Sequence, residues 1–160
     1  MKKIMLRLLL ELMKDSKRSD RELAKVLGVS QPTVSRMRSR LVKEGIIREF
    51  TVIPNFVKMG YEIMAITGFK SKIKKELTEK AIRVTMEKPN IIFAARAQGM
   101  GKNAVVISMH KSYACFSKFI TELLSEGGDD VENYDTLLIS LENLVVKPFS
   151  IKYLVDLEET

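Results

Sequence analysis

The strongest constraint in this chain is a pair of short predicted helices joined by a three-residue turn within residues 19–45. Ser19-Asp20-Arg21-Glu22 has the form of a capping box, in which the serine hydroxyl and the glutamate carboxylate each accept a free backbone N–H, so a helix should begin directly after the serine. Gly28 can adopt the left-handed conformation that ends such a helix. Ser30 then caps a further helix that has Pro32 in its first turn. Two helices joined in this way form a helix-turn-helix pattern.

Apolar residues at helical spacing indicate which faces of the helices are buried. A first amphipathic helix is predicted over residues 2–14, ahead of the two helices just described. Ala24 is small, and it stands where the second helix must approach the third closely. The predicted buried positions are Met5, Leu8, Leu9, Leu12, Leu23, Ala24, Leu27, Val34, Met37 and Leu41.

The opposite face of the third helix is polar and cationic, and it contains no carboxylate. Hydroxyl, amide and guanidinium groups are the donors that pair with base edges and phosphates in DNA. Arg36 lies at the centre of this face and is predicted to reach a base edge, whereas Lys43 is predicted to contact a phosphate. A solvated helix face is the alternative interpretation of the same residues. The candidate DNA-binding residues are Gln31, Thr33, Ser35, Arg36, Arg38, Ser39, Arg40 and Lys43.

The positive charge of the chain is concentrated in the segment that contains these helices. Residues 1–60 hold 14 Lys and Arg against 6 Asp and Glu, whereas residues 61–160 hold 13 against 14, so the net charge of +7 divides into +8 and −1. A basic segment joined to a near-neutral one is typical of a phosphate-binding module fused to a module of another function.

The rest of the chain predicts a second domain. Residues 45–55 predict a turn and then a strand, either a short wing or a linker, that ends at Pro54-Asn55. We therefore expect a helix-turn-helix domain over residues 1–54 and a second domain over residues 55–160. The later segments have the order β-α-β-β-α-β, which predicts an α+β, ferredoxin-like domain with both helices on one face of the sheet. The predicted segments are Tyr61–Phe69, Lys74–Lys88, Ile91–Ala97, Ala104–His110, Ser112–Glu126 and Val131–Leu141.

Two predicted strands are apolar on both faces. A sheet with helices on one side should alternate apolar and polar residues, but Ile91-Ile92-Phe93-Ala94-Ala95 and Val105-Val106-Ile107 do not alternate. We therefore expect the helix-free face to be covered by the same face of a second subunit. A two-fold dimer would carry two recognition helices, which suits DNA half-sites spaced by about one helical turn, roughly 34–36 Å, or a multiple of it.

Several classes of protein are disfavoured by composition. Arg7 and Glu11 interrupt the apolar run that a signal peptide would need, and no stretch reaches the length of a membrane span. One histidine and one cysteine are too few for the usual zinc sites, so we expect neither a metal, nor a cofactor, nor a catalytic residue. His110 is predicted to be a surface residue at a strand end, and Cys115 a small apolar filler. A single cysteine favours the reducing cytoplasm as the location of the protein. There, a DNA-binding protein is expected to associate with the nucleoid.

The sequence contains a set of short motifs at characteristic spacing: Glu22-Leu23-Ala24, Gly28-Val29-Ser30, Val34, Arg40-Leu41, Glu44-Gly45-Ile46-Ile47 and Met59-Gly60-Tyr61. In these motifs the chain resembles the Lrp/AsnC, or feast/famine, family of prokaryotic regulators, along nearly its whole length. The resemblance implies a winged helix-turn-helix joined to a ferredoxin-like sensing domain. It also implies transcriptional control, either activating or repressing, dimers that often assemble into octamers, and an amino acid or related metabolite as effector.

One loop departs from the family pattern. Family members usually carry a glycine, a polar or acidic residue, an aromatic residue and then Asp between the second and third strands, near the effector. Here the segment is Gln98-Gly99-Met100-Gly101-Lys102-Asn103, which has neither the aromatic residue nor the acid. A tight hairpin explains its glycines as well as a ligand does. The candidate effector-binding residues are Gly99, Gly101, Lys102 and Asn103.

Two other functions remain as alternatives to a sequence-specific regulator. An architectural protein could coat DNA through phosphate contacts alone. Some relatives of the family resemble sirohaem decarboxylases, so a tetrapyrrole-modifying enzyme on the same fold is the less favoured alternative.

Overall fold

The computed structural model describes residues 2–72, 75–143 and 145–155, with only the backbone described for residues 75–78 and 129. The chain divides into two compact units. The first comprises the residues up to Ile53 together with the described part of the carboxyl-terminal segment that begins at Pro148, and the second is Pro54–Lys147. The predicted division differs from this one at the carboxyl end, because residues 148–155 belong with the first unit.

Three helices form the first unit: α1 (Lys3–Lys14), α2 (Asp20–Leu27) and α3 (Gln31–Lys43). Leu8, Leu23, Val34 and Leu41 are fully buried where the three helices meet, and Met5, Leu12, Ala24 and Leu27 complete the cluster. Complete burial of each large aliphatic side chain contributes roughly 1.5–3 kcal/mol. The predicted helix-turn-helix core is confirmed. In α1 Leu10 is also buried, although it was not predicted to be, whereas the predicted Leu9 is only half-buried against the cluster.

The local signals at both ends of α2 act as the sequence indicates. The Glu22 backbone N–H donates to the Ser19 hydroxyl, and the Glu22 carboxylate accepts from the Ser19 N–H at 2.7 Å and from its hydroxyl. These hydrogen bonds lower the pKa of Glu22. Gly28 ends α2 with φ of +69°. Ser30 occupies the N-cap position of α3 without capping it through its side chain, since its hydroxyl lies 2.8 Å from the Thr33 hydroxyl.

The strand predicted after residue 45 is not formed. Residues 46–55 contain no helix or strand and pair with no other described segment. Phe50, Val52 and Ile53 are exposed by 51%, 72% and 45%. A strand requires a neighbouring backbone to complete its hydrogen bonds, and the described residues of a single chain provide none here.

The described carboxyl-terminal segment packs on the first unit. It forms a short 3-10 turn over Ile151–Leu154, which Ser150 caps by accepting a hydrogen bond from the Lys152 N–H. This turn contacts α1, and Val155, which follows it, is 1% exposed. The burial of Val155 gives the segment an apolar anchor.

The second unit contains a four-stranded antiparallel sheet in which the strands, numbered along the chain, lie in the order second, third, first, fourth. This order confirms the predicted ferredoxin-like arrangement. Lys74, the first residue of one predicted helix, lies outside the described residues. The elements are β1 (Ile63–Ser71), α4 (Lys75–Glu87), β2 (Ile91–Gly99), β3 (Lys102–His110), α5 (Tyr113–Gly127) and β4 (Val131–Ser140), with 3-10 turns over Val57–Met59 and Gly128–Asp130.

The core of this unit lies between the sheet and α5. Phe116, Phe119 and Ile120 of α5 are buried against Ala65 and Phe69 of β1 and Val106 of β3. Thr67 is buried on the same face of β1, where its hydroxyl lies 3.0 Å from that of Thr136 in β4.

His110 is a core residue rather than the surface residue predicted. It is 3% exposed, and its ring centroid lies 4.9 Å from that of Phe119 and 5.4 Å from that of Phe116. Its Nε2 lies 2.8 Å from the Ser108 hydroxyl. Burial lowers the pKa of His110, because the low-dielectric surroundings disfavour the charged ring. Cys115 also differs from its prediction, since it is exposed beside the buried Phe116.

We expect the free energy of unfolding to fall as the pH drops from 7.5 to 5.5, because burial lowers the pKa of His110 and the unfolded chain therefore takes up a proton there before the folded chain does. A single such group can cost at most about 1.4 kcal/mol per pH unit. Urea unfolding at several pH values measures it, and His110→Gln provides the comparison. An equal loss in both proteins would show that another group is responsible.

Candidate nucleic-acid interface

The orientation of α3 is set by its two fully buried residues. Val34 and Leu41 are both 0% exposed, and Met37 is half-buried between them. The seven-residue spacing of Val34 and Leu41 places both side chains on one side of the helix, so the opposite side must face outward. Ala24 of α2 is buried in the same cluster, as expected for a small residue at a close helix contact.

Most of the candidate DNA-binding residues lie together on the outward side of α3, and the helix contains no acidic residue. Thr33 is half-buried at the first turn, where it contacts Ser30. The exposed members of the predicted set are Gln31, Ser35, Arg36, Ser39, Arg40 and Lys43.

Among the described residues, Arg36 and Arg40 contact neighbours within α3 and at its end. The Arg36 Nε donates to the Pro32 carbonyl one turn earlier, at 3.3 Å. The Arg40 Nε lies 2.6 Å from a carboxylate oxygen of Glu44, and the two side chains are 57% and 42% exposed. An exposed i,i+4 ion pair contributes only about 0.3–0.5 kcal/mol, so a phosphate could replace Glu44 as the partner of Arg40 at small cost.

Arg38 departs from the predicted set because its guanidinium is used inside the unit. Its Nε and Nη2 lie 2.9 and 2.8 Å from the Asp20 carboxylate, and Nη2 also donates to the Arg18 carbonyl at 3.1 Å. Its Cζ lies 5.9 Å from the centroid of the Phe50 ring. Arg38 therefore joins α3 to the start of α2 and to the segment after α3.

Sequence reasoning missed this contact because it depends on distant residues. Asp20 and Arg38 are 18 positions apart, on different helices. The signal available in the sequence was Asp20, an acidic residue in the first turn of α2. The helix end alone explains an acid at this position, so Asp20 did not indicate a partner in α3. Arg18 is similarly engaged, since it pairs with Glu11 of α1.

Comparisons with known proteins agree with this geometry. Residues 1–48 match the family model described as winged helix-turn-helix DNA-binding. The chain is 31% identical over 132 residues to the uncharacterized HTH-type transcriptional regulator PH0061 of Pyrococcus horikoshii. The aligned residues make up 81% of this chain and 85% of the relative. The crystal structure of PH0061 superposes with a TM-score of 0.81 and 28% identity, over 94% of this chain and 97% of that one.

Two further solved structures are similar. Bacillus subtilis LrpC matches with a TM-score of 0.71 and 25% identity, over 92% of this chain and 99% of that one. The chain belongs to the Lrp/AsnC family of transcriptional regulators. A Neisseria meningitidis transcriptional regulator, solved as a complex with L-Met, matches in fold with a TM-score of 0.82 at 16% identity, over 95% of each chain.

The chain is thus a DNA-binding transcriptional regulator of the Lrp/AsnC type. None of the helices in the described part of the chain has the length and hydropathy of a membrane span.

The loop that departs from the Lrp/AsnC pattern is a tight hairpin. Gly99 pairs with Lys102, and Met100 and Gly101 between them have φ of +50° and +71°. Positive φ at both central residues is the geometry of a two-residue hairpin turn that follows the twist of the strands. The exposed Met100 tolerates this conformation without the Asn or Gly usually found there.

Lys102 and Asn103 of the predicted effector set are tied to neighbouring strands. Asn103 accepts a hydrogen bond from the Ser71 N–H at 3.0 Å and donates to the Ser71 carbonyl at 2.6 Å. The Lys102 ammonium pairs with Asp135 of β4 at 2.7 Å. Its side chain passes over Gly68, where an added Cβ would lie 3.0 Å from the Lys102 Cγ. These contacts hold the strands of this Lrp/AsnC sheet together.

We expect Arg38→Ala to lower the free energy of unfolding by about 1–2 kcal/mol, because it leaves Asp20 and the Arg18 carbonyl without their partner. Arg36→Ala, on the exposed side of the same helix, should change it by no more than about 0.5 kcal/mol. Urea unfolding of the two variants at one salt concentration tests this difference. Equal losses would contradict the structural role of Arg38.

Proposed function

We propose that this regulator acts as a homodimer that recognises specific DNA sequences with α3 in the major groove. The observation that carries the proposal is the exposed side of α3, which has cationic and hydrogen-bonding groups over residues 31–43 and no acidic residue. A helix fits the width of the major groove, where each base pair presents a distinct set of donors and acceptors.

The exposed residues divide into two roles along the helix. Arg36, at the centre of the face, is suited to two hydrogen bonds with the acceptor edge of a guanine. Gln31, Ser35 and Ser39 provide further base-edge or backbone contacts. Arg40 and Lys43 lie in the last turn of α3, where phosphate contacts would fix its register. Arg38 is left out of this set because it holds α2 and α3 together, so we assign it the positioning of the recognition helix.

Arg36→Ala should cost about 1–3 kcal/mol on the preferred sequence and much less on random DNA, because the lost contact is to a base. The preferred sequence is obtained by selecting bound fragments from genomic DNA, and affinities are measured by fluorescence anisotropy. Equal losses on both DNAs would reject base recognition by Arg36 and favour a protein that coats DNA without recognising sequence.

Lys43→Ala should weaken binding to preferred and random DNA by similar amounts, because the lost contact is to a phosphate. The slope of log affinity against log salt should become shallower by about one unit. Lys111, which is exposed in the other unit, gives the matched control variant Lys111→Ala. An unchanged slope for Lys43→Ala would contradict the phosphate contact.

The proposed dimer uses the face of the sheet that carries no helix. The strand register places Met64 and Ile66 of β1, Ile107 of β3 and Leu137 of β4 on this face, opposite the side where α5 packs. Leu137 is 61% exposed, and Phe93 of β2, on the same face, is 51% exposed. An apolar face of this kind favours burial against a second copy, and the two-fold operator would then pair two recognition helices. Assembly into octamers follows only from the family resemblance.

Leu137→Asp should dissociate the dimer, because each subunit would bury a charge without a partner in the interface. Leu138→Asp is the matched control, since Leu138 is 42% exposed and points to the opposite face of the same strand. Sedimentation of both variants measures the change in mass, and the affinity for paired half-sites should fall with Leu137→Asp alone. A dimeric Leu137→Asp variant would contradict the proposed interface.

Effector binding is a separate proposal. The Neisseria relative was solved as a complex with L-Met. For this chain we propose an amino acid or related metabolite near Gly99, Gly101, Lys102 and Asn103. The support is the family resemblance, whereas the hairpin and the strand contacts of Lys102 and Asn103 account for these residues without a ligand.

A further inference from the structure

The first helix is apolar on more of its surface than the helix-turn-helix core covers. Leu8 and Leu12 are buried in that core. Leu6, Leu10 and Met13 form a second stripe, at spacings of four and three residues. At about 100° per residue, Leu8 and Leu10 point about 160° apart, so the two stripes lie on different sides of α1. A helix with two apolar sides needs a cover for each of them.

The second stripe of α1 is covered although it lies outside the core. Leu10 is buried and Leu6 and Met13 are half-buried, but none of the three belongs to either core cluster of the described residues. The 3-10 turn over Ile151–Leu154 contacts α1. Val155, which follows this turn, is likewise buried outside both clusters. The contact between the turn and α1 accounts for the burial of both Leu10 and Val155.

The chain passes between the two units twice. It leaves the first unit after Ile53, within residues 46–55, which contain no helix or strand. It returns to the first unit at Pro148 and then reaches the buried Val155. The first unit is therefore attached to the second at two places in the chain, and the returning connection is anchored by a buried side chain.

We propose that residues 148–155 act as a strap, which limits how far the helix-turn-helix unit moves relative to the second unit. Without the strap, residues 46–55 alone would join the units, and a segment without secondary structure allows many positions. A limited range raises the effective concentration of one recognition helix at its half-site once the other helix is bound. The strap thus favours one spacing of half-sites. This last effect rests on the proposed dimeric recognition of DNA, whereas the restricted movement does not.

Val155→Asp should release the strap, because an aspartate cannot be buried at this position without a partner. Nuclear magnetic relaxation of backbone amides in the full-length protein gives a rotational correlation time for each unit. In Val155→Asp the correlation time of the amides in α1, α2 and α3 should shorten relative to that of the sheet amides. Val146→Asp is the matched control, since Val146 is fully exposed ahead of the strap, and its correlation times should equal those of the parent protein.

A second variant disturbs the same contact from the side of α1. Leu10→Ala removes most of a buried side chain, and alanine keeps α1 helical. This variant should also shorten the correlation time of the first unit, with circular dichroism confirming that each variant is folded. The strap is overturned if the folded variants tumble like the parent protein.

DNA that carries the selected half-sites tests the effect on spacing. Val155→Asp should bind two half-sites about tenfold more weakly than the parent protein does, and should bind one half-site equally well. Inserting about five base pairs between the half-sites turns one of them by half a helical turn, and this insertion should weaken the parent protein more than the variant.

The spacing role is overturned if Val155→Asp loses equal affinity for both DNAs, or if it keeps the full insertion penalty of the parent protein. A parent protein with no preference for two half-sites over one would instead contradict the proposed dimeric recognition. The correlation times would then still decide whether the strap restricts the first unit.

Discussion

The burial of Val34 and Leu41 against α1 and α2 is the constraint on which the DNA-binding surface depends. Both side chains are completely removed from solvent, so rotating α3 about its axis would expose them and bury Arg36 or Lys43 in their place. Burying an unpaired cation costs far more than burying a leucine gains. The helix thus has one stable orientation, and the cationic side faces outward as a consequence of the core.

The Arg38 side chain also links α3 to α2. Its guanidinium reaches the Asp20 carboxylate, the Arg18 carbonyl and the face of the Phe50 ring. Arginine can do this because its planar group offers several donors in a rigid arrangement. A basic residue on a recognition helix therefore does not always contact DNA. Arg38 differs from Arg36 because Asp20 of α2 pairs with it inside the unit.

The second unit places different properties on the two faces of one sheet. The helix-free face is apolar and exposed at Phe93 and Leu137, which suits a second subunit. The other face is covered by α5, which packs Phe116, Phe119 and Ile120 into the core. His110, at the end of β3, is enclosed by α5 and has Ser108 as a hydrogen-bonding neighbour.

Features that depend on neighbouring residues are visible in the amino-acid order alone: the capping box at Ser19, the left-handed Gly28, the apolar spacing of α3 and the order of strands and helices. These follow from hydrogen bonds and side-chain periodicity within a few positions, so a single chain reveals them. The three-dimensional fold was needed to show that Arg38 pairs with Asp20, that His110 is buried while Cys115 is exposed, and that residues 148–155 join the first unit. It also left residues 46–55 without a strand partner. Each of these outcomes depends on groups distant in the chain, and local pattern carries no information about which of them the fold brings together.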